Sequence, residues 1–243
     1  MHLNRSNSVN ITDEFGSALV IRMGLARWLE VVISVLGMTL AAPLLVLSSA
    51  AIALSSRGPV IFRQKRVGRY GQLFVLYKLR TMRIAQHGPQ VTASGDERVT
   101  WIGRILRRTK VDELPELWNV LKGDMSLVGP RPEVPRYVNF EDERWQRILE
   151  VRPGITDPVT LSLRNEEALL ADVEVNREDF YVESLQPFKL QGYIDYLHHR
   201  SWWSDIKVLG RTFIVILWPN VNTQLRANHV SMLVAKHGKS TFY

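Results

Sequence analysis

The stretch from Val31 to Leu54, VVISVLGMTLAAPLLVLSSAAIAL, carries no charged residue and constrains the chain more than any other feature. As a straight helix it would measure about 36 Å, enough to cross a hydrocarbon core of about 30 Å. Three placements compete. A cleaved signal peptide is disfavoured by the long region before it and by an apolar run beyond the usual length of about 7–15 residues, although Ala51-Ile52-Ala53 resembles a cleavage site. A single transmembrane span is the default. A re-entrant helix, entering and leaving by one face, is the third. Pro43 favours the third: it sits at the midpoint, removes a backbone hydrogen bond, and leaves two halves of about 18 Å, each too short to cross. The flanks agree. Arg22 and Arg27 precede the stretch, while Arg57, Arg63, Lys65 and Arg66 follow it. The positive-inside tendency then puts both ends in the cytoplasm.

Charge narrows the partners. The chain has 243 residues with 31 Lys+Arg against 24 Asp+Glu, a formal charge of +7. That favours an anionic partner: nucleic acid, a phosphorylated substrate or anionic lipid. From Val31 to Gly95 there is no Asp or Glu, while Arg57, Arg63, Lys65, Arg66, Arg69, Lys78, Arg80 and Arg83 fall there. Acidic residues concentrate between Glu133 and Glu183. The absence of cysteine excludes disulfides, thiolate nucleophiles and Cys-ligated zinc.

The chemistry points to Asp112-Glu113-Leu114-Pro115. Leu114, Leu117, Trp118 and Leu121 recur at i, i+3, i+4 and i+7, one face of a helix. Proline is tolerated only in a first turn, so the spacing predicts a helix start at about Asp112, with Asp112 near the N-cap. Two readings stand there. One is a capping aspartate followed by a dipole-favoured glutamate. The other is an anion-handling site, because Arg104, Arg107, Arg108 and Lys110 precede the pair and a carboxylate pair ringed by cations suits metal-assisted phosphate chemistry. Further on, Pro130 and Pro132 hold Arg131 on a stiff backbone. A preset guanidinium suits bidentate phosphate binding; a structural salt bridge to Asp124 or Glu133 is the alternative.

The remaining elements read as follows. Residues 1–24 form a loose arm. Val60–Gln64 and Leu73–Leu79 are β-prone runs around the turn Gly68-Arg69-Tyr70-Gly71, hence a hairpin. Gln86–Gly95 is a polar loop and Trp101–Arg108 a helix. Glu141–Leu149 reads as a surface-exposed helix, and Asn165–Val182 as a solvated acidic helix or loop. In Tyr193–Leu217, Trp202, Trp203, Ile206, Leu209, Phe213, Ile216 and Leu217 share a face. That face either packs in the core or lies in a membrane interface. Residues 219–243 form a basic tail. The chain thus divides into an arm (1–24), a membrane helix (25–56), a cytoplasmic catalytic domain (57–218) and the tail. The fold class is α+β, mostly helical, membrane-associated through a Pro-broken re-entrant helix, with a small β-hairpin and interfacial amphipathic helices.

Several motifs in order resemble the bacterial sugar transferases, the small monotopic phosphoglycosyl transferases. They are the Pro-broken apolar helix, Gly58-Pro59-Val60-Ile61-Phe62-Arg63-Gln64-Lys65-Arg66-Val67-Gly68, Tyr77-Lys78-Leu79-Arg80-Thr81-Met82, Asp112-Glu113-Leu114-Pro115, the run Gly123 to Pro132, and Arg152-Pro153-Gly154-Ile155-Thr156. The resemblance implies an enzyme that moves a sugar 1-phosphate from a UDP-sugar to polyprenyl (undecaprenyl) phosphate, releasing UMP. It implies Mg²⁺ and the cytoplasmic face of a bacterial inner membrane, in the first membrane step of exopolysaccharide, capsule, O-antigen or glycoconjugate synthesis. Asp112 would be the nucleophile and Glu113 the catalytic partner that binds the metal. Arg107, Arg131, Lys78 and Arg80 would bind substrate phosphate, and Glu116 and Asp124 are reserve carboxylates. The partners would be donor, lipid acceptor and membrane, with a homodimer allowed and no nucleic acid. One departure stands out: after Thr156 this chain reads Asp157 to Glu167, where many members continue with Gly and a Gln-containing segment. A membrane-tethered polyanion-binding protein is the reading from another class, resting on the basic 57–110 region alone; no recognised nucleic-acid motif supports it.

Overall fold

A computed structural model describes residues 24–83, 95–164, 166–171, 173 and 176–218. The expected N-terminal arm, the 86–95 loop and the basic tail lie almost wholly outside these residues. The described chain is mostly helical, with two small two-stranded sheets.

Helix α1, Arg27–Ser55, takes up the whole uncharged stretch. Pro43 lies inside it and does not end it. Among the described residues it is the one helix long and apolar enough to cross a membrane, with a mean hydropathy of 2.3. Leu36, Leu40, Val46, Leu47 and Leu54 are exposed along it. The side facing the protein is built of smaller and polar residues, with Glu30, Ser34, Ser48 and Ile52 buried.

Both ends of α1 are fastened to the same body of packed elements. At the N-terminal end, Arg27 donates to the carbonyls of Met125 (3.1 Å) and Val120, and the buried Glu30 carboxylate accepts the Leu127 N–H at 3.1 Å. At the C-terminal end, Arg80 donates to the carbonyls of Ser56 (2.7 Å) and Arg57 (2.9 Å). Ile52 packs there with Leu79 and Leu106 in a small separate core.

Strands β1 (Ile61–Val67) and β2 (Leu73–Leu79) form the antiparallel hairpin, paired from Ile61↔Leu79 to Val67↔Leu73. Its tip turns through Tyr70 at φ 57° and Gly71 at φ 73°, and the Tyr70 N–H donates to the Leu149 carbonyl at 2.6 Å. Helix α2 (Trp101–Thr109) and helix α3 (Glu116–Lys122) bracket a 3-10 turn at Val111–Glu113. Strands β3 (Ser126–Val128) and β4 (Gly154–Thr156) pair in parallel. They approach so closely that a Cβ on Gly154 would lie 2.1 Å from the Gly129 nitrogen. Both flanking motifs therefore need glycine, which has no Cβ to clash.

The main core gathers under helices α4 (Glu143–Ile148), α5 (Pro158–Ser162), α6 (Glu166–Ala171), α7 (Arg177–Phe180), α8 (Gln186–His199) and α9 (Trp202–Leu217). Three expectations are corrected here. Helix α4 is not a surface helix: Trp145 and Ile148 are buried. The acidic 165–182 region is not simply solvated, since Leu169, Leu170 and Phe180 pack into the core. The 193–217 region is two helices, and on α9 Asp205 and Val208 are buried with Ile206 and Leu209 packed against the core, while Trp202, Trp203 and Phe213 are exposed. The cause is Asp205, which accepts hydrogen bonds from Tyr196, Arg200 and the Leu25 N–H. A fully buried carboxylate with that many donors fixes the inward face, so the aromatic face turns out.

Candidate active site

The site is assembled where α2 ends. Thr100 caps α2 by accepting the Gly103 N–H at 3.0 Å. Gly103 lies against β2's exit: a Cβ there would sit 2.0 Å from the Thr81 carbonyl oxygen. That close approach lets Arg107, one turn on, donate its Nε to Thr81 Oγ1 at 2.9 Å. Lys110 then turns the chain sharply, at φ 58° and ψ 17°. For a residue with a Cβ this left-handed conformation is costly and is held only by its surroundings.

Asp112 and Glu113 follow in the 3-10 turn, not at the start of the α-helix as the spacing predicts. Pro115 is the reason. It has no N–H to reach back four residues, so the Leu114 N–H takes the Val111 carbonyl at 3.2 Å and the turn stays tight. Helix α3 starts at Glu116, with Pro115 as its N-cap. Asp112 caps nothing: it is buried, and its Oδ1 takes no hydrogen bond among the described residues.

Glu113 is the hub. Its Oε1 accepts from Arg131 Nη2 and from Lys78 Nζ at 3.0 Å, with Lys110 Nζ at 4.0 Å. Arg131 does not pair with Asp124 or Glu133; its other Nη donates to the Ile155 carbonyl at 3.3 Å. Lys78 is shared with Glu116, whose buried carboxylate lies 3.0 Å away. Helix α3 is pinned to β2 by Asn119, fully buried, which accepts the Tyr77 N–H and donates to the Val75 carbonyl. This amide completes the hydrogen bonding of a strand edge and so fixes Lys78 beside Glu113.

The two adjacent carboxyls are driven apart in acidity. Burial, then the Glu113 charge, raises Asp112 from 3.8 to about 6, against the pull of Lys78, Lys110 and Arg107. For Glu113 burial also works upward, but Arg131, Lys110 and Lys78 outweigh it and hold the carboxyl well below its usual range.

Of the residues singled out in the sequence, Asp112, Glu113, Lys78, Arg131 and Arg107 meet in this group. Arg80 does not: it is buried with its guanidinium on the α1 C-terminus. Asp124 pairs with Lys122 at 2.9 Å, away from the hub. Sequence reasoning missed Asn119, Thr81 and Glu167. Asn119 had a signal, a polar residue inside an apolar helical run; the other two act through contacts distant in sequence.

The donor set can be tested against a metal. No group of three or more His, Cys, Asp or Glu able to hold one occurs among the described residues. Mg²⁺ uses one or two carboxylates and completes its shell with water and substrate phosphate. The unpartnered Asp112 Oδ1 and the ionised Glu113 are oxygen donors of that kind, so the residues fit Mg²⁺.

Comparisons with known proteins show the family of the chain. A UDP-glucose:undecaprenyl-phosphate glucose-1-phosphate transferase of Caulobacter vibrioides is 41% identical over 191 residues, covering 76% of this chain and 67% of that protein. A UDP-N-acetylgalactosamine-undecaprenyl-phosphate N-acetylgalactosaminephosphotransferase of Aeromonas hydrophila is 36% identical, covering 79% of this chain and 43% of its own length. An Escherichia coli protein with the same name as the Caulobacter one is 36% identical, covering 77% of this chain and 39% of its own length. The chain therefore spans less than half of the last two. The family model described as Bacterial sugar transferase matches residues 21–219, which includes α1, the Asp112-Glu113 turn and Arg131, and the chain belongs to that family.

Proposed function

We propose that this chain transfers a sugar 1-phosphate from a UDP-sugar to polyprenyl phosphate and releases UMP, at the cytoplasmic face of a bacterial inner membrane. The observation that carries the reading is Asp112: a buried carboxylate with an unpartnered oxygen, beside a glutamate that gathers Arg131, Lys78 and Lys110. The names of the relatives supply donor and acceptor classes.

In this mechanism an Asp112 oxygen attacks the β-phosphorus of the donor. A carboxylate–phosphorus bond forms, the bond to the bridging oxygen breaks, and UMP leaves with that electron pair. An oxygen of the lipid phosphate then attacks the same phosphorus and frees the carboxylate. Carboxylates serve as nucleophiles toward phosphorus in aspartyl-phosphate ATPases. A pK near 6 keeps Asp112 mostly ionised at neutral pH while leaving it more basic than an ordinary aspartate. Arg131 and Arg107 neutralise phosphate oxygens, and Lys78 holds Glu113 in place. Mg²⁺, held by Glu113 and substrate oxygens, would mask the charge of the pyrophosphate.

The membrane placement rests on α1. Ends fastened to one body of elements cannot emerge on opposite sides of a bilayer, so α1 is read as re-entrant. The outward Trp202, Trp203 and Phe213 of α9 suit the lipid interface. The polyanion-binding alternative loses ground. Arg66 is paired with Glu133, Lys78 with Glu113 and Glu116, and Arg80 with carbonyls, so much of the basic run is spent internally.

The test is UMP release by the full chain in lipid, with polyprenyl phosphate, Mg²⁺ and a panel of UDP-sugars. Release with at least one sugar, lost in Asp112→Asn, is expected. No release with any sugar overturns the reading. Activity in Asp112→Asn above a few per cent moves the nucleophile elsewhere.

A further inference from the structure

Lys78, Lys110 and Arg131 are turned toward Glu113, whereas Arg107 is not. Its Nε is tied to Thr81 Oγ1 at 2.9 Å, and its Nη1 donates to Glu167 Oε1 at 2.6 Å. Glu167 stands in the first turn of α6. The two ends of this pair differ. Arg107 is held by Thr81 and lies within electrostatic reach of Asp112. The Glu167 side chain is 47% exposed. The neighbouring residues keep α6 itself in place: Glu166 pairs with Lys189 at 3.2 Å, and Leu169 and Leu170 are buried. Only the Glu167 side chain is free to leave.

We propose that Glu167 is an internal counter-anion that sets the affinity for the donor. It occupies on Arg107 the seat that a phosphate oxygen of a nucleoside diphosphate takes, and it swings into solvent when that phosphate arrives. A half-exposed pair contributes little. A pyrophosphate group brings more charge and more acceptor oxygens to the same guanidinium, so it displaces the glutamate. The consequence is an enzyme whose donor KM is held higher than Arg107 alone would give, with the chemical step unaffected. This inference rests on the donor assignment proposed above.

The experiment compares wild type, Glu167→Gln, Arg107→Gln and the double variant, as full chains in lipid. Two quantities are read: donor KM and kcat from UMP release, and binding of inorganic pyrophosphate by calorimetry. In Glu167→Gln, KM and the pyrophosphate Kd should both fall about two- to fivefold, the size of a half-exposed ion pair, with kcat within about twofold of wild type. In the Arg107→Gln background the same change should leave pyrophosphate affinity unaltered. An unchanged or raised KM and Kd in Glu167→Gln overturns the proposal. So does an equal gain without Arg107, which would mean only that a negative charge had been removed, and so does a lowered kcat, which would make Glu167 a positioning residue for Arg107. Wild type that binds pyrophosphate but releases UMP from no UDP-sugar would count against the donor assignment, and the pyrophosphate data would still decide the role of Glu167.

Discussion

Asp112 and Glu113 are adjacent in one 3-10 turn, yet the first is buried with an unpartnered oxygen and the second is clasped by Arg131 and Lys78. The pair therefore divides into a carboxyl titrating at about 6 and one ionised far below that. If Asp112 must be ionised to attack, kcat/KM should rise with pH through about 6 with the slope of a single proton, and level off above it. Glu113 does not titrate in this range. Lys110 pulls Asp112 downward, so Lys110→Met should shift the midpoint to higher pH. A profile measured from pH 5 to 8 checks both statements. A midpoint that stays put in Lys110→Met would separate the limb from Asp112.

The same burial predicts a trade between activity and stability. The folded pKa of Asp112 lies above its ordinary value of 3.8, so the ionised carboxylate opposes folding. Its stability contribution is present below 3.8 and is lost as pH rises through about 6. Asp112→Asn removes the charge at nearly constant shape. At pH 7.5 it should stabilise the protein by about 1–3 kcal/mol while abolishing transfer. At pH 4 the gain should shrink. Thermal unfolding in detergent at the two pH values reads this directly.

The sequence reading singled out side chains that the fold brings together, because its signals are local. Asp112, Glu113 and Arg131 stand in short motifs whose Pro and Gly residues have fixed backbone consequences, and the hairpin and α2 follow from short-range pattern. The pattern leaves a question open, or misleads, where a contact distant in sequence decides. The aromatic face of helix α9 reads equally as core or as interface; buried Asp205, bonded to Tyr196, Arg200 and Leu25, decides which side turns inward. Arg80 reads as a phosphate ligand beside Lys78, yet Ser56 and Arg57 claim it. Alternation along β2 sends adjacent side chains to opposite faces, but nothing local says which face meets Glu113.

Arg131 is the strongest clamp on Glu113, and its loss should be read in two currencies. Arg131→Met leaves Glu113 with Lys78 and the more distant Lys110. The cost should be roughly 2–4 kcal/mol, somewhat below that of a fully buried pair broken on one side. Glu113→Gln in the same chain should recover part of that stability, because no unpaired carboxylate remains, without recovering activity. Denaturant unfolding of both variants and the double variant measures the coupling.

Gly103 should tolerate no side chain. A Cβ would meet the Thr81 carbonyl oxygen at 2.0 Å, and that oxygen already accepts the Thr100 N–H at 3.0 Å. Backbone must shift, so Gly103→Ala should destabilise by about 1–3 kcal/mol despite alanine's better helix propensity. Because the shift moves α2 away from Thr81, it also moves Arg107. Donor KM should rise more than kcat falls. A variant with wild-type KM and stability would show that the approach of α2 to Thr81 is not what places Arg107.

The re-entrant reading of α1 makes a prediction about sidedness. The chain has no cysteine, so single cysteines report cleanly. Ala26 and Arg57 flank the helix and are exposed. Arg27 and Glu30 bind the α3–β3 region at one end, and Arg80 binds Ser56 and Arg57 at the other. Crossing the bilayer would require one of these sets to break, leaving buried Glu30 or buried Arg80 without its partners, at a cost of several kcal/mol. Ala26→Cys and Arg57→Cys should therefore both resist an impermeant maleimide in intact cells, and both react in inverted membrane vesicles. Opposite accessibility of the two positions would establish a span. Arg80→Ala separates the causes: if the clamp holds the second end down, this variant should loosen the Arg57→Cys end, giving partial labelling from outside, while Ala26→Cys stays protected.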